Sequence, residues 1–261
     1  VPKVEIFVFL KQVPATESII QVADDGVSIK TEGLKWVINP YDELAVEEAL
    51  RIRQEKGGTV TIVSLGPAKA DEAIRTALAM GADKGLRIDC RLNQYDSLAT
   101  ARILAAVMKE RPFDLLIAGY RAVDDDYHMV GPALAELLDI PSISMVIEQK
   151  IDDNTIRCRC TVDGGTMDVE ASLPALITTQ RGLNEPRYAS LPGIMKAKKK
   201  PIEVLEAGSL GIDADRLEAR VRIESLAPPP ERSAGRMIEG ESVEDKVNQL
   251  VKALSEEAKV L

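Results

Sequence analysis

Dense apolar runs and helix-period stripes alternate along the first 150 residues of the chain. Residues 4–11 (VEIFVFLK), 59–65 (TVTIVSL), 84–88 and 113–118 (FDLLIA) are the short continuous runs expected of strands buried on both faces. Between the first two, Leu44, Ala45, Ala49, Leu50 and Ile52 recur at helical spacing. Asn39 is the expected cap of that helix, Pro40 suits its first position, and Asp42 and Glu43 favour its positive end. Residues 68–80, 97–109 and 129–138 repeat the helical pattern, residues 142–147 form a further strand, and residues 26–31 a minor one. The alternation predicts an α/β fold with a doubly wound, mostly parallel sheet and helices on both faces. Ligands of such sheets lie beyond the carboxyl ends of the strands. Residues 10–14, 65–67 and 119–130 would meet there, which points to a nucleotide site.

After Lys150 the pattern changes. Residues 155–162 and 166–171 alternate as a β-hairpin turning at Asp163-Gly164-Gly165, and residues 175–179 form a last apolar strand. Residues 183–201 (LNEPRYASLPGIMKAKKKP) then read as an irregular loop, because prolines 186, 192 and 201 interrupt any ladder or helix. Leu191, Pro192, Ile194 and Met195 precede a basic run of Lys196, Lys198, Lys199 and Lys200. Apolar residues exposed on such a loop point to a partner, against the plainer reading of a solvated connection. Residues 227–230 (APPP) are extended and hinge-like, and residues 242–258 form an amphipathic helix that folds back or embraces another subunit. The expected organisation is a nucleotide-binding domain over 1–182, a partner-recognition loop over 183–201, and a C-terminal arm and helix over 202–261.

Composition narrows the chemistry. A net charge of −9 over 261 residues argues against general nucleic-acid binding, and the lysine run is too local to reverse that. Cys158 and Cys160 lie two apart on one strand face and are poorly placed to pair, which fits a reducing compartment. No signal-like segment and no apolar run of about 20 residues is present, so a cytoplasmic protein that is not membrane-embedded is expected. His128 is the only histidine, and CxxC, HExxH and G-x-S-x-G do not occur. The expectation is no metal site and no catalytic residue of the chain's own. Redox chemistry would have to sit on a cofactor.

The loop GYRAVDDDYHMVG (119–131) joins a strand to a helix start, whose free N–H groups and dipole suit a phosphate. Its three aspartates read as turn and cap residues rather than metal ligands. Neither G-x-x-x-x-G-K-[ST] nor G-x-G-x-x-G occurs, so triphosphate hydrolysis and Rossmann-type NAD binding lack support.

Five segments carry a resemblance: NPYDELAVEEALR (39–51), GPAKADEAIRTALAMGADKG (66–85), AVDDD (122–126), DGG (163–165) and LNEPRYASLPGIMKAKKK (183–200). In order and spacing they resemble the electron transfer flavoprotein beta subunit, over nearly the whole chain. The resemblance implies an adenine-nucleotide-hydrolase-like sheet and an electron carrier, not an enzyme, that works as an alpha–beta heterodimer. FAD would sit mainly on the alpha subunit. It would take electrons from acyl-CoA dehydrogenases of fatty acid beta-oxidation, or related flavoprotein dehydrogenases, and pass them to a membrane quinone oxidoreductase.

It also implies AMP in this subunit, held by Phe9, Asn39, Pro40, Tyr41, Asp42, Leu65, Gly119, Tyr120, Arg121, Ala122, Val123, Asp124, Asp125, Asp126, Tyr127, His128, Met129 and Val130. Tyr41 and Thr16 match positions beside the flavin, and Leu191 matches the leucine that anchors the dehydrogenase. Phe9 replaces a residue that is small in many relatives, and His128-Met129-Val130 replaces Asn-Gln-Thr. A second FAD, as in bifurcating relatives that oxidise NADH, and an empty site are therefore the alternatives to AMP. A homodimeric ATP-binding signalling module on the same sheet is a further, different class.

Overall fold

The computed structural model of the protein describes residues 3–92, 94–230 and 234–261. The chain divides into two compact units: residues up to Ile20 with Lys30–Glu224, and Gln21–Ile29 with Ser225–Leu261. The larger unit is built from β1 (Val4–Phe9), β2 (Gln12–Pro14), β3 (Trp36–Ile38), α1 (Pro40–Lys56), β4 (Gly58–Gly66), α2 (Asp71–Met80), β5 (Lys84–Asp89), α3 (Ser97–Lys109), β6 (Leu115–Gly119) and α4 (Val130–Leu138). It continues with β7 (Ser142–Asp152), β8 (Thr155–Val162), β9 (Gly165–Ser172), β10 (Ala175–Thr179), α5 (Leu191–Lys199), β11 (Ile202–Glu206) and the short α6 (Ala214–Leu217).

A nine-stranded sheet runs in the order β11-β5-β4-β1-β6-β10-β7-β8-β9. Pairs from β11 to β7 are parallel, while β7–β8 and β8–β9 are antiparallel. Strand alternation sorts β1 between two cores. Val4, Ile6 and Val8 join the cluster formed with α1 and α2, and Phe7 and Phe9 join the one formed with α3 and α4. The doubly wound α/β expectation holds. The chain leaves β1 in one direction through β4 and in the other through β6, so a topological switch point lies between the carboxyl ends of β1 and β6.

Several local expectations are corrected. Residues 191–199 are not irregular: Ser190 caps α5 by accepting from the Gly193 N–H at 3.2 Å, and Pro192 sits in its first turn, where a missing donor costs nothing. The strand at 175–179 is not the last, since β11 adds an edge strand beside β5. Asn39 makes no side-chain cap of α1. Only an isolated bridge, Val22 to Ile29, stands in place of the minor strand over 26–31. Cys158 and Cys160 share one buried face of β8, and burial pushes the Cys158 thiol up to about 12.

In the smaller unit, Ser242 caps α7 (Val243–Lys252), which continues as a π-helical turn, Ala253–Glu257. Val243, Val247, Leu250 and Val251 of α7 are exposed. No helix among the described residues is long and apolar enough to cross a membrane.

Candidate functional site

Helix α1 starts at the switch point, and its first turn ties the strand ends together. The Asp42 carboxylate accepts from the Lys11 N–H just beyond β1 (2.7 Å) and from the Gly119 N–H at the end of β6 (2.9 Å). Asn39, 1% exposed, donates from Nδ2 to the Arg121 carbonyl (2.9 Å), and its Oδ1 accepts from the Val123 N–H (3.1 Å). The amide predicted as a cap therefore shapes the loop after β6 instead.

Burial pushes the Asp42 carboxyl up to about 7, against the opposing pull of the Lys11 N–H, the Asn39 side chain and the Gly119 N–H. The folded value lies above the ordinary carboxylate value of about 4, so the folded chain holds more protons than the unfolded chain between those pH values. Asp42 thus favours the folded state most in acid, and that contribution falls as pH rises through the window to about 7. In denaturation profiles taken from pH 4.5 to 7.5 (roughly this window), Asp42→Asn should lose that slope. A wild-type–variant stability difference that stays constant across the range would contradict the assignment.

The loop from Tyr120 to Met129 is closed by charge. The Lys11 ammonium bonds Asp124 at 2.9 Å and Asp125 at 2.8 Å, and Arg121 pairs with Asp126, which has a φ of 54°. The three aspartates therefore share two cations, Asp124 and Asp125 on Lys11 and Asp126 on Arg121. Aromatic rings line the other side. Tyr41 and Tyr120 meet edge to face at 4.5 Å, and Tyr120 and His128 at 4.9 Å. Arg121 lies 5.3 Å from the Tyr41 ring and Arg181 5.7 Å, so two guanidiniums flank one buried phenol. Burial would raise the Tyr41 hydroxyl, but bonds from Tyr120 and Arg121 and the nearby positive charge bring it below its ordinary value.

The structure thus brings Asn39, Tyr41, Asp42, Gly119, Tyr120, Arg121, Val123, Asp124, Asp125, Asp126 and His128 into one bonded cluster, and adds Lys11 and Arg181, which the sequence alone did not single out. Pro40 opens α1, Ala122 lies between bonded neighbours, and Tyr127 and Met129 are exposed where the loop meets Val130 of α4. Phe9 is 6% exposed and packed in the α3–α4 core, with Leu65 half-buried against the same core. Thr16 is exposed in a turn beyond β2, and no hydrogen bond among the described residues joins it to the cluster.

A second surface lies on α5. Gly193 and Ala197 face α2, and a Cβ on Gly193 would come within 2.4 Å of the Ala79 carbonyl oxygen. Leu191, Ile194 and Met195, at i, i+3 and i+4, lie on the exposed face. Tyr188, 99% exposed just before the helix, adds an aromatic that the sequence reasoning missed. The preceding segment is strapped to α1: Arg187 forks onto the buried Glu47 at 2.7 and 2.9 Å, and Asn184 bonds Leu44 and Glu48. Arg75 closes the carboxyl end of α5 by donating to the Ala197 and Lys200 carbonyls. Lys200 is spent on the Ala82 carbonyl, whereas Lys196, Lys198 and Lys199 stay exposed.

Residues 26–210 match the model of the Electron transfer flavoprotein domain family. The chain belongs to this family. It is 41% identical over 258 residues to the electron transfer flavoprotein subunit beta of Bacillus subtilis, covering 98% of this chain and 99% of the relative. The mouse subunit beta is 42% identical over 235 residues (88% of this chain, 90% of the relative), and the human one 38% over 252 residues (95% and 97%).

Proposed function

We propose that the chain is the beta subunit of a heterodimeric electron transfer flavoprotein, and that it holds AMP at the switch point and presents α5 to a flavoprotein dehydrogenase. Its relatives are electron transfer flavoprotein beta subunits, and one observation above all supports the proposal: an apolar face at helical spacing is held outward by a Gly193 and Ala197 seam and an Arg187 strap. Proteins seldom fix such a face to solvent without a partner for it.

The residues present fit a nucleotide phosphate. The enclosed Arg121 Nε–H has no acceptor in the fold, and α4 begins beside the same loop without a side-chain cap. FAD, carried mainly by the alpha subunit, supplies the redox chemistry when bound. This chain's part is positional: Tyr41, with Arg121 and Arg181 beside it, offers a polarised aromatic wall, and Asp42 and Asn39 hold that wall against the loop. Acyl-CoA dehydrogenases are the proposed donors, a membrane quinone oxidoreductase the acceptor, and the cytoplasm the compartment.

Co-expression with the large subunit, followed by acid release and chromatography of bound nucleotides, tests the reading. The expected result is FAD and AMP in equal amounts. Two FAD per heterodimer with reduction by NADH would replace it with the bifurcating reading, and a flavin-free homodimer holding ATP would overturn it.

A further inference from the structure

A cleft of about 600 Å³ opens along α3, in the larger unit, and shares no residue with the Tyr41 cluster or with α5. Its volume falls within the range of small-molecule sites, roughly 300–1,000 Å³. Arg102, Lys109, Arg111 and Arg216 line it, against Glu110 and Asp213, so it is locally positive in a chain of net charge −9. Its apolar side comes from three separate places, with Leu137 at the end of α4, Leu205 in β11, and Leu210 and Ile212 in the segment before α6.

Two guanidiniums are left incomplete there. Arg102 donates from Nη1 to the Arg216 carbonyl at 2.6 Å, and Arg111 from Nη2 to Glu203 at 2.6 Å. The Nε–H of each is enclosed and has no acceptor. Enclosed donors are nearly always paired, and a carboxylate or phosphate oxygen is the strongest partner for a guanidinium edge. Arg102, Lys109 and Arg216 also form no ion pair among the described residues, unlike Arg87, Arg157, Arg159 and Arg187 elsewhere in the chain.

We propose that this cleft binds an amphiphilic organic anion: an apolar body seated against Leu205, Leu210 and Ile212, and a carboxylate or phosphate head held by Arg102 and Arg111. The site is independent of the switch-point nucleotide, so the two can fail separately. A protein neighbour would need an acidic and apolar segment to fill the same space. It is the less economical occupant, because the positive groups face a cleft rather than a broad surface.

The test uses the full-length protein in the assembly in which it is expressed, with decanoate, decyl phosphate and decanol as probes in calorimetric titration. Both anions should bind, the tighter one telling a carboxylate from a phosphate source, and decanol should not. Arg102→Gln should weaken the anion about tenfold, the range expected when a hydrogen bond to a charged group is lost. Leu210→Trp, which fills the apolar end, should abolish binding and serves if the arginine variant misfolds. Lys150→Gln removes the same charge from β7 and should leave affinity unchanged. Binding of decanol equal to that of decanoate, equal affinity in both cleft variants, or no binding in the assembly (the outcome if another chain covers the cleft) would each overturn the proposal.

Discussion

Gly119→Ala should lower the melting temperature by several degrees and strip the proposed nucleotide from the switch point. A Cβ at this position would lie 2.4 Å from Asp42 Oδ1 and 2.8 Å from Tyr41 Cβ, so α1 could not keep its distance from the end of β6. Overpacking of this kind costs about 1–3 kcal/mol. In a domain of this size each kcal/mol shifts the melting point by roughly 2–4 °C. The damage falls on the site as well, because the Gly119 N–H is one of the two backbone donors that fix Asp42. Moving α1 outward would also shift Tyr41 and release the Asn39 grip on the loop. Differential scanning fluorimetry and nucleotide release, run side by side, check this. An alanine variant with unchanged melting point and nucleotide content would show that the approach of α1 to β6 is not needed.

Much of the fold can be read directly from the residues. VEIFVF, GTVTIVSLG and LLIAG are too apolar and too short to be anything but buried strands, and their alternation with helices sets the switch point between β1 and β6. What was not legible has physical causes. Prolines 186, 192 and 201 read as breakers, yet Pro192 falls in the first turn of a capped helix, the one helical place that tolerates it. Strand β11, IEVLE, is largely exposed and pairs only with β5, so it never shows the apolar density of the inner strands. Asn39 has the right chemistry for a cap. Its amide is drawn instead to the Arg121 carbonyl and the Val123 N–H, groups brought close only by the tertiary fold.

The candidate site divides in the same way. Which segments converge follows from strand order, so 10–14, 65–67 and 119–130 were legible together, whereas 39–42 joined them only through the family resemblance. Which atoms meet does not follow: Lys11 bridging Asp124 and Asp125, and Arg181 flanking Tyr41, depend on side-chain reach across more than 100 residues of chain. Phe9, expected near the nucleotide, directs its ring into the α3–α4 core.

The other large effect concerns α5. Leu191 is 79% exposed on a helix whose opposite side is locked by Gly193, Ala197 and Arg75, so truncating it removes contact surface and little else. Surface substitutions of this kind change stability by no more than about 0.5 kcal/mol. A leucine fully buried against a partner contributes about 1.5–3 kcal/mol, so Leu191→Ala should slow productive docking by about tenfold. If the exposed Lys196, Lys198 and Lys199 steer an acidic partner from the same helix, the rate should also fall with ionic strength. The effect should appear with a dehydrogenase as donor and vanish with a small chemical reductant that needs no docking.

Stopped-flow reduction of the heterodimer's flavin by an acyl-CoA dehydrogenase, comparing wild type with Leu191→Ala at matched flavin content, tests this most directly. Reduction should be about tenfold slower in the variant, with equal rates under dithionite. Equal rates with the dehydrogenase would contradict it.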